Sequence, residues 1–274
     1  MTVDISVVIP TFRRPRELGE AIESVRRQDG LSLEIFVVDD SPEASARSVV
    51  DGLGDSRITY LRPPRPTGGI PSIVRNLAWP HTTGAFIHFL DDDDRVPEQH
   101  YARVKALFAS RPDIGLIFGR IEPFGACPPA QLTHERAFFA EAWRRARACS
   151  RFGTKLAFAG QMLFGRPLLV CSAGILRRDA VERVNGFDPE IRLMEDADFY
   201  TRVMRSCGAE FIDEVVLHYR IGFPSLMHSP DPPPEQLKAQ RVGRRRMQAK
   251  YRHEYGALEF YALAAVTRFL VQRL

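Results

Sequence analysis

Phe86-Ile87-His88-Phe89-Leu90-Asp91-Asp92-Asp93-Asp94 is the clearest structural signal in this chain. The first five residues are typical of a buried strand, and four carboxylates follow it at once. Two carboxylates ~5 Å apart repel by roughly 3 kcal/mol at an effective dielectric of 20. Such a cluster at a strand end therefore indicates a bound cation, and oxygen-only ligands favour Mg²⁺ or Mn²⁺. A solvated acidic turn is the alternative interpretation.

Strand and helix patterns alternate on either side of this stretch. We predict strands at residues 5–9, 34–38, 57–61, 86–90 and 114–121, and helices after Pro15, after an N-cap at Ser41, through Ile73 and over residues 98–108. This alternation predicts an α/β fold whose sheet is mostly parallel and covered by helices on both faces. Polar residues follow the first, second and fourth strands, and ligands bind outside the carboxyl ends of strands in such sheets.

The pattern weakens after residue 124. We predict a helix over residues 131–151, a strand-like segment at 168–176 that is interrupted at 172–174, a helix opened by Glu195-Asp196, and a strand at 211–219. A Pro-rich piece at residues 230–234 precedes a basic helical tail. The expected organisation is a domain over residues 1–222, with halves at 1–123 and 124–222, and a tail over 223–274.

Composition disfavours zinc-binding, disulfide-rich and membrane-spanning classes of protein. The net charge of the 274 residues is only +4, although basic residues crowd the tail at Lys238, Arg241, Arg244, Arg245, Arg246, Lys250 and Arg252. The four cysteines, Cys127, Cys149, Cys171 and Cys207, form no Cys-x-x-Cys pair, which disfavours a zinc site and a disulfide framework. No apolar run reaches the ~20 residues of a membrane span, and no basic leader precedes an apolar core. We expect a cytoplasmic protein without a nucleic-acid partner.

At this point the residues resemble a known family, the family-two glycosyltransferases of the GT-A fold. The matching motifs are residues 6–12 (SVVIPTF), residues 37–41 (VVDDS), Arg75-Asn76, residues 89–94 with Pro97, Gly186-Phe187-Asp188, and Glu195-Asp196-x-Asp198. Each is weak alone, but the set is specific in this order and covers roughly residues 5–205. The resemblance implies a Rossmann-like, mostly parallel sheet flanked by helices. It also implies an inverting, metal-dependent transfer of one sugar from a nucleoside-diphosphate sugar to a glycan or lipid-linked acceptor.

The resemblance also implies roles for single residues. The nucleotide sugar would meet Pro10, Thr11, Arg13, Asp39, Asp40, Arg75, Asp91 and Asp92; Mn²⁺ or Mg²⁺ would be held among Asp91, Asp93 and Asp94; the acceptor would approach Ser172, Ala173 and Gly174. Asp196, with Glu195 beside it, corresponds to the general base that deprotonates the acceptor hydroxyl. A helix N-terminus favours the ionised form that a base requires. Which of the four aspartates touches the metal stays open.

The chain departs from relatives in one C-terminal motif. Tyr219-Arg220 is followed by Ile221-Gly222, where relatives often carry Tyr-Arg-x-His, and His228 is a candidate replacement. The Gln-x-x-Arg-Trp motif and membrane helices of processive synthases are missing, which favours transfer of single residues.

The tail and the function class each leave alternatives. An apolar stripe at Leu258, Tyr261, Ala262, Ala265, Phe269 and Leu270 indicates either a helix packed on the body or in a homodimer, which we favour, or an interfacial helix at the inner face of a membrane. A catalytically inactive sugar-nucleotide-binding module is the main alternative function. A nucleotidyltransferase or a dehydrogenase is disfavoured because no Gly-rich loop follows the first strand. The nucleotide base, the sugar and the linkage are not readable.

Overall fold

The computed structural model describes residues 2–222 and 233–271. In chain order the elements are β1 (Ile5–Thr11), α1 (Pro15–Arg26), β2 (Leu33–Asp39), α2 (Arg47–Leu53), β3 (Ile58–Leu61), α3 (Pro71–Ala78), β4 (Phe86–Phe89), α4 (His100–Ser110), β5 (Leu116–Phe124), α5 (Pro129–Cys149), α6 (Leu156–Phe164), β6 (Gly174–Arg177), α7 (Arg178–Arg183), α8 (Glu195–Cys207), β7 (Ala209–Arg220), α9 (Pro234–Tyr255) and α10 (Ala257–Val271). Residues 223–232, which include His228, lie outside the described residues, as do the side chains of Leu270 and Val271 and the last three residues.

The strands form a seven-stranded sheet in the order β3-β2-β1-β4-β6-β5-β7. Neighbouring strands pair in parallel except at β6, which is antiparallel to β4 and β5. The central strand β1 is buried on both faces and pairs with β2 and β4, so that Ile5 is opposite Leu33 and Phe86. This register brings the carboxyl ends of β1, β2 and β4 to one edge of the sheet. The predicted α/β class and the mostly parallel sheet are confirmed.

The helix predicted directly after Ser41 is wrong, because α2 begins at Arg47. The carboxylate of Asp39 explains the difference. It accepts hydrogen bonds from the backbone N–H of Ser41 and of Ala46, at 2.9 Å each, and from the Ser41 hydroxyl. These bonds fold residues 41–46 into a turn, since short polar side chains compete with helical backbone bonding.

The strand-like segment predicted over residues 168–176, with an interruption at 172–174, is a strand only from Gly174 onward. Residues Cys171–Ala173 form a 3₁₀ turn, and β6 begins at Gly174. The Tyr200 hydroxyl donates to the Cys171 carbonyl, and a Cβ on Gly174 would lie 2.7 Å from the Tyr200 hydroxyl oxygen. The Tyr200 ring thus fills the space beside Gly174, and its bond to the Cys171 carbonyl takes up a group that a regular strand would pair.

Between residues 151 and 168, where the sequence predicts no element, the structure has the apolar helix α6. Phe158, Ala159, Met162 and Leu163 are buried in the core. A Cβ on Gly160 would lie 2.6 Å from Oγ1 of Thr267, so α10 approaches α6 closely.

The C-terminal helices pack on the body of the protein. Met247 and Tyr251 of α9 and Leu263 of α10 belong to the core cluster, so both helices contact the body. The predicted apolar stripe of α10 is not the packed face, because Leu258, Tyr261 and Phe269 are exposed. In the part of the chain that the structure describes, no helix is both long and apolar enough to cross a membrane. The division at residue 222 falls beside the undescribed segment and stays a prediction.

Candidate active site

A cavity of about 510 Å³ lies at the carboxyl ends of β1, β2 and β4. The predicted site residues that line it are Pro10, Thr11, Asp40, Arg75, Asp91, Asp92, Asp93, Glu195 and Asp196. The predicted site residues Arg13, Asp39, Asp94, Ser172, Ala173 and Gly174 do not line it. The fold therefore brings the two acidic motifs, more than 100 positions apart in the chain, to one cavity.

The four aspartates form a tight turn after β4, closed by a bond from the Asp94 N–H to the Asp91 carbonyl at 3.2 Å. Asp92 is anchored to the end of β1 by the Phe12 N–H, 3.3 Å from its carboxylate. Asp94 is fully buried and accepts from the Arg220 N–H at 2.9 Å. Asp91 and Asp93 face the cavity, with side-chain exposures of 31% and 15%.

Crowding of carboxylates in a poorly hydrated turn makes ionisation costly. Burial raises the pKa of Asp92 to about 6, and burial followed by the charge of Asp92 raises the pKa of Asp93 to about 7. Burial also raises the pKa of Asp94 well above its usual range. The turn would gain from a positive charge, which is the physical case for a cation here.

Two arginines already supply positive charge to this turn. Nη1 of Arg14 lies 2.5 Å from Oδ2 of Asp93 and 3.2 Å from Oδ1 of Asp92. The Arg220 guanidinium donates to the Asp93 carbonyl at 2.7 Å and also bonds Glu20. Sequence reasoning missed Arg14, because nothing in Arg13-Arg14 tells which side chain turns inward. Arg13 is exposed and pairs with Glu43 at 2.7 Å.

Arg75 links the acidic turn to the second acidic motif. Its side chain is buried, and it donates to Asp91 at 2.8 Å and to Glu195 at 3.0 Å. Charge-assisted bonds of this kind are short and directional. A single guanidinium therefore fixes the distance between the strand end and the start of α8.

Asn76, next to Arg75, explains the motif Gly186-Phe187-Asp188. Its side chain donates to the Phe187 carbonyl at 2.7 Å and accepts from the Phe187 N–H at 3.0 Å. Gly186 has φ +64°, and a Cβ there would lie 2.4 Å from Nε1 of Trp79. These contacts hold the turn against α3, which also supports the Phe187 ring over Arg75.

Asp196 lies half-buried at the cavity wall, at the start of α8. Burial, followed by the charge of Glu195, raises the pKa of Asp196 to about 7, although the Ala197 N–H donates to it at 2.7 Å. The sequence argument that the helix N-terminus favours ionisation is therefore outweighed by burial. A carboxyl group with a pKa near 7 is well matched to general-base chemistry near neutral pH.

The two second-strand aspartates differ in their access to the cavity. Asp39 is fully buried and accepts four hydrogen bonds, from the Ser41 N–H and hydroxyl, the Ala46 N–H and the Tyr60 hydroxyl. Asp40 lines the cavity and accepts from Thr67 and from the Gly69 N–H at 2.9 Å. Asp39 holds the loop of residues 41–46, whereas Asp40 holds the loop of residues 67–69 at the cavity.

Ser172, Ala173 and Gly174 lie buried beneath the acidic turn. The Ser172 hydroxyl accepts from the Asp91 N–H at 3.0 Å, and its carbonyl is 2.8 Å from Nε2 of His88. A carbonyl only accepts, so His88 carries its proton on Nε2 and accepts from the Tyr101 hydroxyl at Nδ1, 2.7 Å away. Burial lowers the pKa of His88 to about 4, which keeps the ring neutral. These residues position Asp91 from below.

The donor set fits a divalent cation that is shared with a ligand. Within residues 2–222 and 233–271, no three His, Cys, Asp or Glu side chains are arranged to hold a metal by themselves. Mg²⁺ and Mn²⁺ sites at phosphates commonly use one or two carboxylates, with phosphate oxygens and water completing the shell. Asp91 and Asp93, two of the three carboxylates predicted to hold the metal, line the cavity. Asp94, the third, is fully buried and does not line it.

Comparison with known proteins identifies the family. Residues 6–183 match the model of glycosyl transferase family 2. The chain belongs to glycosyl transferase family 2. The matched region includes the motifs at the ends of the first two strands and the acidic turn. It ends before Glu195 and Asp196.

Three curated relatives match between about a third and three quarters of the chain, from 34% to 73%. A "GalNAc(5)-diNAcBac-PP-undecaprenol beta-1,3-glucosyltransferase" of Campylobacter jejuni is 39% identical over 94 residues, which cover 34% of this chain and 30% of that protein. Matches to an uncharacterized glycosyltransferase of Haemophilus influenzae and to ExoM of Rhizobium meliloti cover 62% and 31% of those proteins. The chain thus spans less than two thirds of these curated relatives.

Solved structures share the fold at low sequence identity. S. aureus TarS in complex with UDP-GlcNAc has a TM-score of 0.68 and 16% identity, covering 96% of this chain and 71% of that one. The mannosyltransferase PcManGT of Pyrobaculum calidifontis, in complex with GDP-Man and Mn²⁺, has a TM-score of 0.59 and 17% identity, covering 99% and 81%. These likenesses confirm the GT-A-type fold of this family-2 member.

The cavity is also lined by residues that the motifs did not reveal. Arg192, Gln240 and Arg244 line it, together with an apolar wall formed by Ile121, Phe138, Phe139, Ala142, Leu168 and Leu169. The basic cluster of α9 was visible in the sequence, but which of its side chains enters the cavity depends on how α9 docks.

Proposed function

We propose that this protein is an inverting glycosyltransferase that moves a single sugar from a nucleoside-diphosphate sugar to an acceptor hydroxyl. The process served would be the synthesis of a glycan, polysaccharide or glycoconjugate. The observation that carries the proposal is the bridge through Arg75, which holds Asp91 and Glu195 at the wall of one cavity beside Asp196. Membership of glycosyl transferase family 2 supports the same reaction class.

The donor would lie along the edge of the sheet. Pro10, Thr11 and Asp40 line the side for the nucleoside, with Asp39 holding the loop beneath them. We assign Asp91 and Asp93 to a Mg²⁺ or Mn²⁺ ion at the diphosphate. When bound, such an ion offsets the negative charge that develops on the leaving nucleoside diphosphate.

The transfer step needs one base and one leaving group. Asp196 accepts the proton of the acceptor hydroxyl while that oxygen forms a bond to the anomeric carbon from the face opposite the diphosphate. The bond between the anomeric carbon and the diphosphate oxygen breaks, and its electron pair leaves with the nucleoside diphosphate. Configuration at the anomeric carbon is inverted. Glu195, held by Arg75, keeps the start of α8 in register with the donor.

The outer face of α10 supports a place at a membrane surface. Leu258, Tyr261, Val266 and Phe269 are exposed along this face, with Arg268 beside them. An apolar stripe next to basic side chains is typical of helices that lie on anionic lipid. We propose peripheral contact with the inner face of the cytoplasmic membrane, which the four free cysteines also suit; a homodimer through this face is the alternative.

Calorimetric titration with UDP, GDP and dTDP, each with and without Mn²⁺, tests the donor assignment. Metal-dependent binding of one nucleotide is expected. Asp196→Asn should bind that nucleotide as the wild type does and lose sugar transfer by about 10²-fold or more, because general-base catalysis contributes 10²–10⁴-fold. The matched control is Asp51→Asn, at an exposed ion pair with Arg47.

The two assays together separate an enzyme from a binding module. Nucleotide binding without transfer by the wild type, over a panel of acceptors, would favour a catalytically inactive sugar-nucleotide-binding module. Failure of the folded protein to bind any of the three nucleotides would remove the proposed donor site.

A further inference from the structure

The side chain of Arg14 contacts two carboxylates of the acidic turn. Its Nη1 lies 2.5 Å from Oδ2 of Asp93 and 3.2 Å from Oδ1 of Asp92. Asp93 is also one of the two carboxylates that we assign to the ion at the diphosphate. The guanidinium thus lies where a divalent ion on Asp93 would be bound.

The backbone around Arg14 is held in place on both sides. The Phe12 N–H donates to Asp92 at 3.3 Å, and the Arg14 carbonyl accepts from the Leu18 N–H at 3.0 Å, in the first turn of α1. Arg13 has the left-handed φ of +57°, and its own side chain is exposed. Any rearrangement at Arg14 is therefore expected in its side chain and not in the backbone.

The side chain of Arg14 is more accessible than those of the other two arginines beside the turn. Its exposed fraction is 34%, against 4% for Arg75 and 8% for Arg220. Arg75 is shared between Asp91 and the start of α8, and Arg220 is joined to Glu20 and to the turn. Moving either of these two would break contacts between separate elements, whereas Arg14 can turn within the cavity that it lines.

A divalent ion on Asp93 and the Arg14 guanidinium would repel each other. Mg²⁺ binds carboxylate oxygens at about 2.0–2.1 Å, and Arg14 is already at hydrogen-bond distance from the same carboxylate. The side chains of Asp92 and Asp93 are mostly buried, so water and salt screen this repulsion only weakly. Binding of the ion should therefore displace Arg14 from Asp93.

The diphosphate of the donor would supply a new partner for the displaced guanidinium. Arg14 lines the same cavity as Pro10, Thr11 and Phe12, next to the acidic turn. A diphosphate held by an ion on Asp93 would therefore lie beside this side chain. Guanidinium groups bind phosphate oxygens through two parallel hydrogen bonds. The exchange keeps Arg14 paired with an anion both before and after the donor binds.

We propose that Arg14 binds the diphosphate of the nucleotide sugar, and that it moves there from Asp92 and Asp93 when the ion and the donor bind. This proposal rests on the proposed glycosyl transfer and adds a residue to its donor site. The diphosphate gains a further negative charge when its bond to the sugar breaks, and a guanidinium in contact with it offsets part of that charge. The same side chain thus neutralises the acidic turn first and the leaving group afterwards.

Calorimetric titration of the whole chain with UDP, GDP and dTDP at saturating Mn²⁺ tests this contact. Arg14→Gln should bind the preferred nucleotide about tenfold or more weakly than the wild type, as expected when a charge-assisted hydrogen bond is lost. Arg14→Lys keeps the charge but not the two parallel bonds, so its affinity should lie between the two. Arg16→Gln is the matched control, at a side chain that is 75% exposed, and should equal the wild type.

Titration with Mn²⁺ alone distinguishes a diphosphate ligand from a structural clamp of the turn. Displacement predicts that Arg14→Gln binds Mn²⁺ more tightly than the wild type, the opposite of its effect on the nucleotide. Weaker binding of both ligands would mean that the turn needs Arg14 for its structure, and would overturn the proposal. If Arg14→Gln does not fold, wild-type nucleotide affinity in Arg14→Lys overturns it equally.

The outcomes separate this proposal from the proposed function. Wild-type nucleotide affinity in Arg14→Gln at saturating Mn²⁺ overturns the diphosphate contact and leaves the donor site intact. If that variant nevertheless binds Mn²⁺ more tightly, Arg14 only competes with the ion and then turns into solvent. Failure of the wild type to bind any of the three nucleotides overturns the donor site, and this proposal with it.

Discussion

The Arg14 guanidinium lies where a cation is expected at the acidic turn. It contacts both Asp92 and Asp93, and Asp93 is one of the two carboxylates that we assign to the metal. A positive group held 2.5 Å from Asp93 lowers the repulsion within the turn in the absence of ligand. It must also share Asp93 with any divalent ion, or move away from it.

Arg14→Gln should therefore bind Mn²⁺ more tightly than the wild type when no nucleotide is present. We expect a gain of about three- to tenfold, since a competing charge in partial contact with water contributes about 1 kcal/mol. The signal of free Mn²⁺ in electron paramagnetic resonance measures this without any assay of transfer. Arg16→Gln, at an exposed position of α1, is the control. Equal affinity in all three proteins would contradict the competition.

Asp196 links the chemistry of the site to the stability of the fold. Its pKa rises from 3.8 to about 7 on folding, so the folded protein keeps a proton that the unfolded chain has released. The resulting stabilisation is complete below pH 3.8 and is lost as the pH rises to about 7. At neutral pH the ionised base is therefore costly to the fold.

Asp196→Asn should remove this loss. Relative to wild type, the variant should gain about 1–2 kcal/mol in the free energy of unfolding between pH 4 and pH 8, allowing for partial exposure of the group. Urea denaturation at both pH values measures the difference, and Asp51→Asn is again the control. Buried His88 and His100, whose pKa values are lowered to about 4 and 3, act in the opposite direction but equally in both proteins. A pH-independent difference would contradict the raised pKa.

At the scale of elements, α9 holds the segment that leads into α8. Met194, just before Glu195, has the left-handed φ of +73°, which costs energy for a residue other than glycine. Gly243 of α9 packs directly on this segment. The helix thus stabilises the backbone that positions the proposed base, although it lies more than 40 residues away in sequence.

Gly243→Ala should disrupt this contact, because the added Cβ would lie 2.1 Å from the Leu193 carbonyl. We expect a loss of about 1–3 kcal/mol in the free energy of unfolding, typical of overpacking, together with slower transfer.

Gly52→Ala is the matched control. Gly52 also lies in a helix, but nothing is within 4 Å of its Cβ position, so alanine should stabilise the protein by about 0.5–1 kcal/mol. Thermal or urea unfolding measures the change in the free energy of unfolding of both variants. Equal changes would contradict a close contact between α9 and the segment before α8.

For the whole molecule, the two faces of α10 have different environments. Leu263 and Thr267 are buried against the body, whereas Leu258, Tyr261, Val266 and Phe269 are exposed on the outer face. This outer face includes most of the apolar stripe predicted from the sequence. The outer face is therefore accessible to another surface. Burial of Leu263 and Thr267 on the inner face stabilises the helix.

The double variant Leu258→Ser/Phe269→Ser should reduce binding to vesicles that contain anionic phospholipid by about tenfold, because two apolar contacts with the bilayer interface are lost. Co-sedimentation measures it, with Leu237→Ser, on α9, as the control. Absence of vesicle binding by the wild type, combined with self-association that the double variant loses, would assign the face to a dimer instead.

Much of the fold could be predicted because its signals are local. Buried strands and the acidic turn are continuous in sequence, and the carboxyl ends of parallel strands meet at one edge whatever the loops do. The same logic identified Asp91 and Asp93 as candidates for the site, whereas Asp196 was identified from the resemblance to the family. The structure brings all three to the cavity. Their chemical roles stay predictions.

The remaining features depend on contacts between distant segments. Asp39 and Asp40 are adjacent in sequence, yet the bonds of Asp39 to Ala46 and Tyr60 leave only Asp40 at the cavity. Arg192 and Arg244 acquire a common location only through the docking of α9 on the residue 191–194 segment. Local patterns specify which residue types follow a strand or begin a helix. Burial, pairing and the raised pKa of Asp196 arise only when separate elements pack together and exclude water between them.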